Sequence, residues 1–191
     1  MARPREFDEQ QAVDRAMHTF WLNGYQATST EDLCAATGLG RSSIYNTFSS
    51  KHELFVRALK HYFRTATGRW LELLAEPLPA KEKVRRMLAQ VIEDEALNPG
   101  RGCLAVNTVT ELARRDESIR KFVRQDFDQL IDAIRVAIEA GQRDGEIDRG
   151  KDARSLAEFV HGTVGGLRLM SQSGAGRTAM SNVAEVALLA L

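Results

Sequence analysis

The chain has 191 residues, 43% hydrophobic and 27% charged, with 26 basic and 26 acidic side chains. This is the composition of a globular protein of one or two domains, and it excludes a disordered chain. Two widely spaced cysteines, Cys34 and Cys103, offer neither a disulfide framework nor metal-ligand spacing, and zero net charge means that any cationic surface for nucleic acid must be local.

The opening stretch MARPREFDEQ turns acidic before an apolar segment can form, so it does not read as a secretory leader. No run of about 18 apolar residues follows, and the expectation is a cytoplasmic protein without a membrane segment. Val13, Ala16, Met17, Phe20 and Trp21 then recur at helical spacing and predict a first helix from Asp8 to Asn23, stopped by Gly24. Ser29 is placed to cap a second helix, with Glu31 and Asp32 in its first turn and Leu33 and Ala36 facing inward. Gly38 ends it, and a third helix begins about four residues on, near Gly40 or Arg41. Two short helices joined by a tight glycine turn form a helix-turn-helix pattern.

The third helix has only Ile44 and Phe48 to anchor it. Its remaining residues, Arg41, Ser42, Ser43, Tyr45, Asn46 and Thr47, are rich in hydrogen-bonding groups and contain no carboxylate. A major groove admits a helix and presents donors and acceptors that such side chains match. Ser50 and Glu53 then mark another helix start at capping-box spacing, and Lys51 beside that start is suited to a phosphate. A merely solvated face on a small bundle is the competing reading.

A long fourth helix follows from Phe55, Leu59, Tyr62, Ala66 and Trp70, ending before Pro77 and Pro79, which lack the donor a helix needs. Val84, Met87, Leu88, Val91 and Ile92 predict a fifth, stopped by Asn98, Pro99 and Gly100. A sixth spans Leu104 to Arg114, a seventh carries the stripe from Ile119 to Ile138, and an eighth holds Leu156, Phe159, Val160, Val164 and Leu167. Ser171 to Ser181 reads as a glycine- and serine-rich loop before a ninth helix. The fold class is therefore all-α, with about nine helices and no repeat. The expected division is a DNA-binding unit over residues 1–52 and a larger helical unit over 53–191, with the fourth helix bridging the two.

The segment AMHTFWLNGYQATSTEDLCAATGLGRSSIYNTFSSKHELFVRALKHY closely resembles the N-terminal DNA-binding domain of the TetR family of transcriptional repressors. Phe20, GYQATS, DLCAATGL, SSIYNTF and SKHELF carry the resemblance, over about a third of the chain. It implies a homodimeric helical regulator whose C-terminal domain binds a small molecule, with Arg41 to Phe48 as recognition helix. By position, Thr28, Ser29 and Thr30 would open the supporting helix near phosphates. Ser42 and Ser43 would read bases, and Tyr45, Asn46 and Lys51 would hold the DNA backbone. Gly40, Asn46 and Thr47 depart from residues common in the family at those places. From Met1 to Lys51 there are five basic and six acidic residues, and Arg3 and Arg5 precede the first helix on a tail that could enter a minor groove. Few phosphate contacts and a shallow salt dependence are expected.

One short recognition helix makes too few contacts for specificity, so pairing of two copies is expected. Gly162, Gly165 and Gly166 in helix eight and the Ala, Val and Leu residues of helix nine mark the dimer seam. Between seam and DNA-binding unit, Phe63, Trp70, Met87, Val91, Cys103, Val106, Thr110, Phe122, Phe127, His161 and Met170 form the candidate effector-lining set. Cys103, near the start of helix six, is also placed for an electrophile- or oxidant-sensing thiol, packing being the plainer role. No phosphate loop, nucleophile elbow or ligand cluster points to an enzyme, a metal or a cofactor. A protein-binding helical adaptor is the remaining alternative to a DNA-binding regulator.

Overall fold

The computed structural model describes residues 8–191, and Arg3 and Arg5, the expected minor-groove tail, lie outside the described residues. Among the described residues there are nine helices and no strand: α1 (Glu9–Asn23), α2 (Thr30–Thr37), α3 (Arg41–Phe48), α4 (Lys51–Ala75), α5 (Ala80–Leu97), α6 (Leu104–Leu112), α7 (Glu117–Arg143), α8 (Ala153–Gln172) and α9 (Arg177–Leu189). The starts follow local chemistry. Asp8 accepts the amides of Gln10 and Gln11 at 2.9 and 3.3 Å, so the acid that would otherwise follow an unsatisfied turn caps α1. Asp116 does the same for α7, accepting from Ser118 and Ile119, each at 3.0 Å. The Ser118 hydroxyl and the Ile119 amide bonded to it hold the Asp116 carboxyl down at about 2.

Two apolar clusters fill the molecule. The first gathers Phe20, Leu33, Ile44, Phe48, Phe55 and Leu59 from α1 to α4, and it also takes in Leu104, Ala105 and Leu112 of α6 with Ile119 and Val123 of α7. The second joins Trp70 and Leu74 of α4 to α5, α7, α8 and α9 around Met87, Val91, Ile134, Ile138, Val160 and Leu167. The core therefore does not break at residues 52 and 53. Helix α4, about 37 Å long at 1.5 Å per residue, contributes to both clusters, and α6 belongs to the first.

One expected loop is shorter than its composition suggests. α8 runs on to Gln172 and α9 starts at Arg177, leaving only Ser173 to Gly176 between them. Arg177 pairs with Glu93 of α5 and Met180 is buried, so tertiary anchors fix the first turn of α9. α6 stops at Leu112, two residues before the expected end.

The second cluster encloses an ion pair that no spacing pattern announces. Arg168 of α8 donates to Glu95 of α5 at 3.1 Å, with side chains only 8% and 2% exposed. Removing one partner strands the other charge in apolar surroundings. Glu95→Ala is therefore expected to cost about 3–5 kcal/mol in chemical denaturation, whereas Glu95→Met combined with Arg168→Met should recover most of that loss.

Candidate nucleic-acid interface

The helix-turn-helix is held by short-range bonds that leave one surface unspent. Ser29 and Asp32 form a complete capping box at the start of α2: Ser29 Oγ accepts the Asp32 amide at 3.1 Å, and Asp32 Oδ2 accepts the Ser29 amide at 2.8 Å. Those bonds lower the Asp32 pKa. Gly38, at φ 72°, adopts the left-handed conformation that closes α2 and returns its N–H to the Cys34 carbonyl at 2.9 Å. α3 then begins at Gly40 without a side-chain cap and buries only Ile44 and Phe48. Eight residues with two anchors would not stay helical alone, so α3 depends on its packing against α2 and α4.

The rest of α3 faces outward. Arg41, Ser42, Tyr45 and Asn46 are exposed, and Ser43 and Thr47 are half-exposed. Among the described residues no intramolecular hydrogen bond ties the side chains of Ser42, Ser43 or Asn46. Arg41 lies 3.6 Å from Glu31, but both are more than 60% exposed, so the pair is worth well under about 1 kcal/mol and yields readily to a stronger anion. The Tyr45 hydroxyl meets Thr30 Oγ1 at 3.3 Å, which joins the two helices on the same face and lowers the phenol's pKa. Lys51, at the start of α4, stands 4.5 Å over the Tyr25 ring with Nζ 3.5 Å from the Gln26 carbonyl.

One sequence expectation is corrected. Thr28 is fully buried and its hydroxyl donates to the Gly24 carbonyl at 2.6 Å, so its side chain is absent from this surface. Ser29 stays exposed, but its hydroxyl is engaged in the capping box.

A second site lies behind this unit. Helices α4, α6, α7 and α8 enclose a cavity of about 160 Å³, lined by Phe63, Trp70, Cys103, Val106, Phe127 and His161 from the expected set. Five expected members are elsewhere. Met87 and Val91 are fully buried in the second core, and Met170 packs against that core's edge. Thr110 is exposed and donates to the Asn107 carbonyl, while Phe122 lines an open groove between α4 and α7. The cavity's polar equipment was largely missed: the Tyr62 hydroxyl 3.2 Å from Cys103 Sγ, Thr67 donating to Asp126 at 3.0 Å, and Arg168. A threonine four residues after Phe63 and an arginine beside Leu167, both on otherwise apolar faces, were the available signals. Burial lowers the His161 pKa and raises that of Tyr62 far above the ordinary phenol.

α6 connects the two sites. Its Ala105 and Val106, with Cys103 just before its first residue, line the cavity. At its other end, Glu111 accepts the amides of Tyr25 at 2.9 Å and Gln26 at 2.6 Å, in the turn that leads into α2. Gly24, at φ 78°, lets that carboxylate approach closely, since a Cβ there would lie 3.1 Å from Oε2. His52 of α4 and Asp116, the cap of α7, meet at 2.8 Å, and Trp21 of α1 donates to the Gly102 carbonyl just before α6 at 3.1 Å. Glu111→Ala should leave the Tyr25 and Gln26 amides unpartnered, a loss of about 1.5–3 kcal/mol for bonds to a charged acceptor. Amide hydrogen exchange at those two residues is expected to speed at least tenfold while the α5 amides keep their protection.

Comparison with known proteins fits this geometry. Residues 12–58 match the family model for bacterial regulatory proteins of the tetR family, and residues 80–186 match the tetracyclin repressor-like C-terminal domain. The HTH-type transcriptional regulator YezE of Bacillus subtilis is 28% identical over 164 residues, covering 84% of each chain. The HTH-type transcriptional repressor ComR of Escherichia coli is 28% identical over 188 residues, covering 97% of this chain and 90% of its own. A cysteine mutant of the TetR family regulator CifR, solved in complex with 26-bp double-strand operator DNA, superposes with a TM-score of 0.86 at 30% identity over 99% of both chains.

Proposed function

The chain belongs to the TetR family of transcriptional regulators, and on that premise we propose that it is an effector-responsive repressor that reads a two-fold symmetric operator as a homodimer. It is a DNA-binding regulator of transcription and not an enzyme. The observation that carries the reading is the unspent polar face of α3, free of carboxylates and outside the core. Arg41, Ser42 and Ser43 are assigned to base edges, and Tyr45, Asn46, Lys51 and Thr30 to phosphates. Ser29 contributes through its place at the α2 N-terminus. The operator complex of CifR supports DNA as the partner, and the repressor ComR supports repression as the outcome.

Pairing is assigned to the outer faces of α8 and α9. Met180, Ala184, Ala187 and Leu188 cover the protein's own core, as a helix in a monomer would. Yet Phe159, Leu169, Val183, Val186 and Leu189 are exposed, and Leu189 is 82% so. A Cβ at Gly166 would meet nothing within 4 Å, which leaves room for a second helix, while Gly162 and Gly165 line the cavity. Such a patch on a monomer is unfavourable unless covered. Val186→Glu with Leu189→Glu is expected to give a folded monomer by sedimentation with lost operator binding. A variant that remains dimeric would move the seam elsewhere.

Release follows from the α6 connection. An occupant of the cavity pressing on Val106 displaces a helix whose far end grips the turn before α2 through Glu111. Only a differential affinity for the two arrangements shifts the balance, and operator and effector then weaken each other equally. One contact favours a second reading of the signal: Cys103 Sγ lines the cavity 3.2 Å from the Tyr62 hydroxyl, so addition of this sulfur to an electrophilic carbon would fill the same space. Unaltered induction in Cys103→Ser would remove that version.

A mobility shift with a duplex from upstream of the chain's own gene tests the main reading. A retarded dimer complex, weakened by about 1–3 kcal/mol or roughly 5- to 150-fold in Arg41→Ala, is expected if this guanidinium reads a base edge. Equal affinity for that duplex and a scrambled one would refute it.

A further inference from the structure

We propose that the effector of this cavity carries a protonated nitrogen, held by the carboxylate of Asp126 against the rings of Phe63, Trp70 and Phe127. The inference rests on the reading of the cavity as the effector site and adds the chemical class of its occupant.

Asp126 of α7 lines the cavity and also the open groove of about 470 Å³ between α4 and α7, with Phe63 and Thr67 shared by both. It therefore stands where a molecule passes from solvent to interior. Its one hydrogen bond among the described residues is accepted from the Thr67 hydroxyl at 3.0 Å. No lysine, arginine or histidine of the described residues comes within 4.0 Å of it. Desolvation without a compensating cation raises its carboxyl to about 6, against a small opposing effect of Thr67.

None of the charged groups on the neighbouring helices pairs with Asp126. On α4, Lys60 sits over the Phe122 ring at 5.8 Å and Arg64 Nη2 lies 2.9 Å from His61 Nδ1, both on the outer rim of the groove. On α8, Arg168 is committed to Glu95 at 3.1 Å and lies 4.0 Å from Asp94, so two carboxylates already face one guanidinium. Burial lowers the His161 pKa, with Arg124 acting in the same direction and Asp128 against it, and its ring lies 4.7 Å from that of Phe127. From α6 the site receives Cys103, engaged with the neutral Tyr62 phenol. An anionic effector in the cavity would meet the unpaired Asp126 carboxylate, whereas the cations Lys60 and Arg64 line the groove and not the cavity. A cation would meet an unpaired carboxylate and aromatic faces, the two elements that recognise ammonium groups. At about 160 Å³ the cavity is about half the lower end for drug-sized ligands, so the occupant is small.

Titration calorimetry of the full-length dimer with benzylamine, benzyl alcohol and benzoate, three probes of similar shape and different charge, tests this directly. Benzylamine should bind at least tenfold more tightly than benzyl alcohol at pH 7.5, and benzoate least. Benzylamine stays protonated across the range, so its affinity should follow ionisation of Asp126 and fall roughly tenfold from pH 7.5 to pH 5. In Asp126→Asn, which keeps the Thr67 bond, the preference for the amine and the pH dependence should both vanish. That variant should also be more stable than wild type at pH 7.5, with the gain shrinking as pH falls through about 6 and vanishing only below the ordinary carboxylate range, because a carboxyl raised in the folded state destabilises wherever the unfolded chain ionises. Tighter binding of benzoate, an unchanged amine preference in Asp126→Asn, or binding of none of the three would overturn the assignment. Operator retardation measured on the same samples separates the outcomes: a protein that binds operator but ignores the amine remains a repressor with a different effector class.

Discussion

One carboxylate of the larger unit clasps the turn that leads into the helix-turn-helix. Glu111, at the end of α6, accepts two consecutive backbone amides there. A charged acceptor in this position does what a water or a neutral side chain would do less firmly: it fixes the direction from which α2 leaves α1. The same two units also meet through the His52–Asp116 contact, the Trp21–Gly102 hydrogen bond and α4 itself. The apolar packing agrees, since α6 belongs to the core of the DNA-binding unit and also forms one wall of the cavity.

The arrangement also resolves the charge problem posed by a neutral chain. Among the described residues, Arg41 at the start of α3 and Lys51 at the start of α4 are tied by no ion pair closer than 3.6 Å, while the acids at the start of α1 are occupied in structure: Asp8 caps the helix, Glu9 pairs with Arg57, and Asp14 meets His61 at 3.2 Å. On the proposed reading, local sorting of charge takes the place of a basic surplus, and a surface with few cations leaves more of the discrimination to shape and direct contacts.

Sequence reasoning reached the helices and the outward-facing polar side of α3 because both are written in local periodicity. The stripe of Val13, Met17 and Phe20, the capping box at Ser29 and the glycine turn at Gly38 involve residues within a few positions of one another. The effector-lining set fared worse for a physical reason. Met87 and Val91 share an apolar helical face with true core residues, and whether such a face meets another helix or an empty space depends on contacts far along the chain. Asp126 shows the converse: an acid one position before Phe127 on a charged helix reads as surface until α4 and α6 close over it. Thr28 failed because its partner, Gly24, becomes available only through the left-handed turn at that glycine.

The central claim is that the state of the cavity sets the fit of α3 to DNA by way of α6. Filling the space with the chain's own atoms tests it without any effector. Val106→Trp projects a ring from α6 into the cavity, and the operator affinity of the folded dimer can be read by fluorescence anisotropy. At least a tenfold loss is expected, with a smaller loss once Glu111 is also replaced by alanine, because the lever then has nothing to pull. An operator affinity in Val106→Trp equal to that of the unaltered protein would contradict the account.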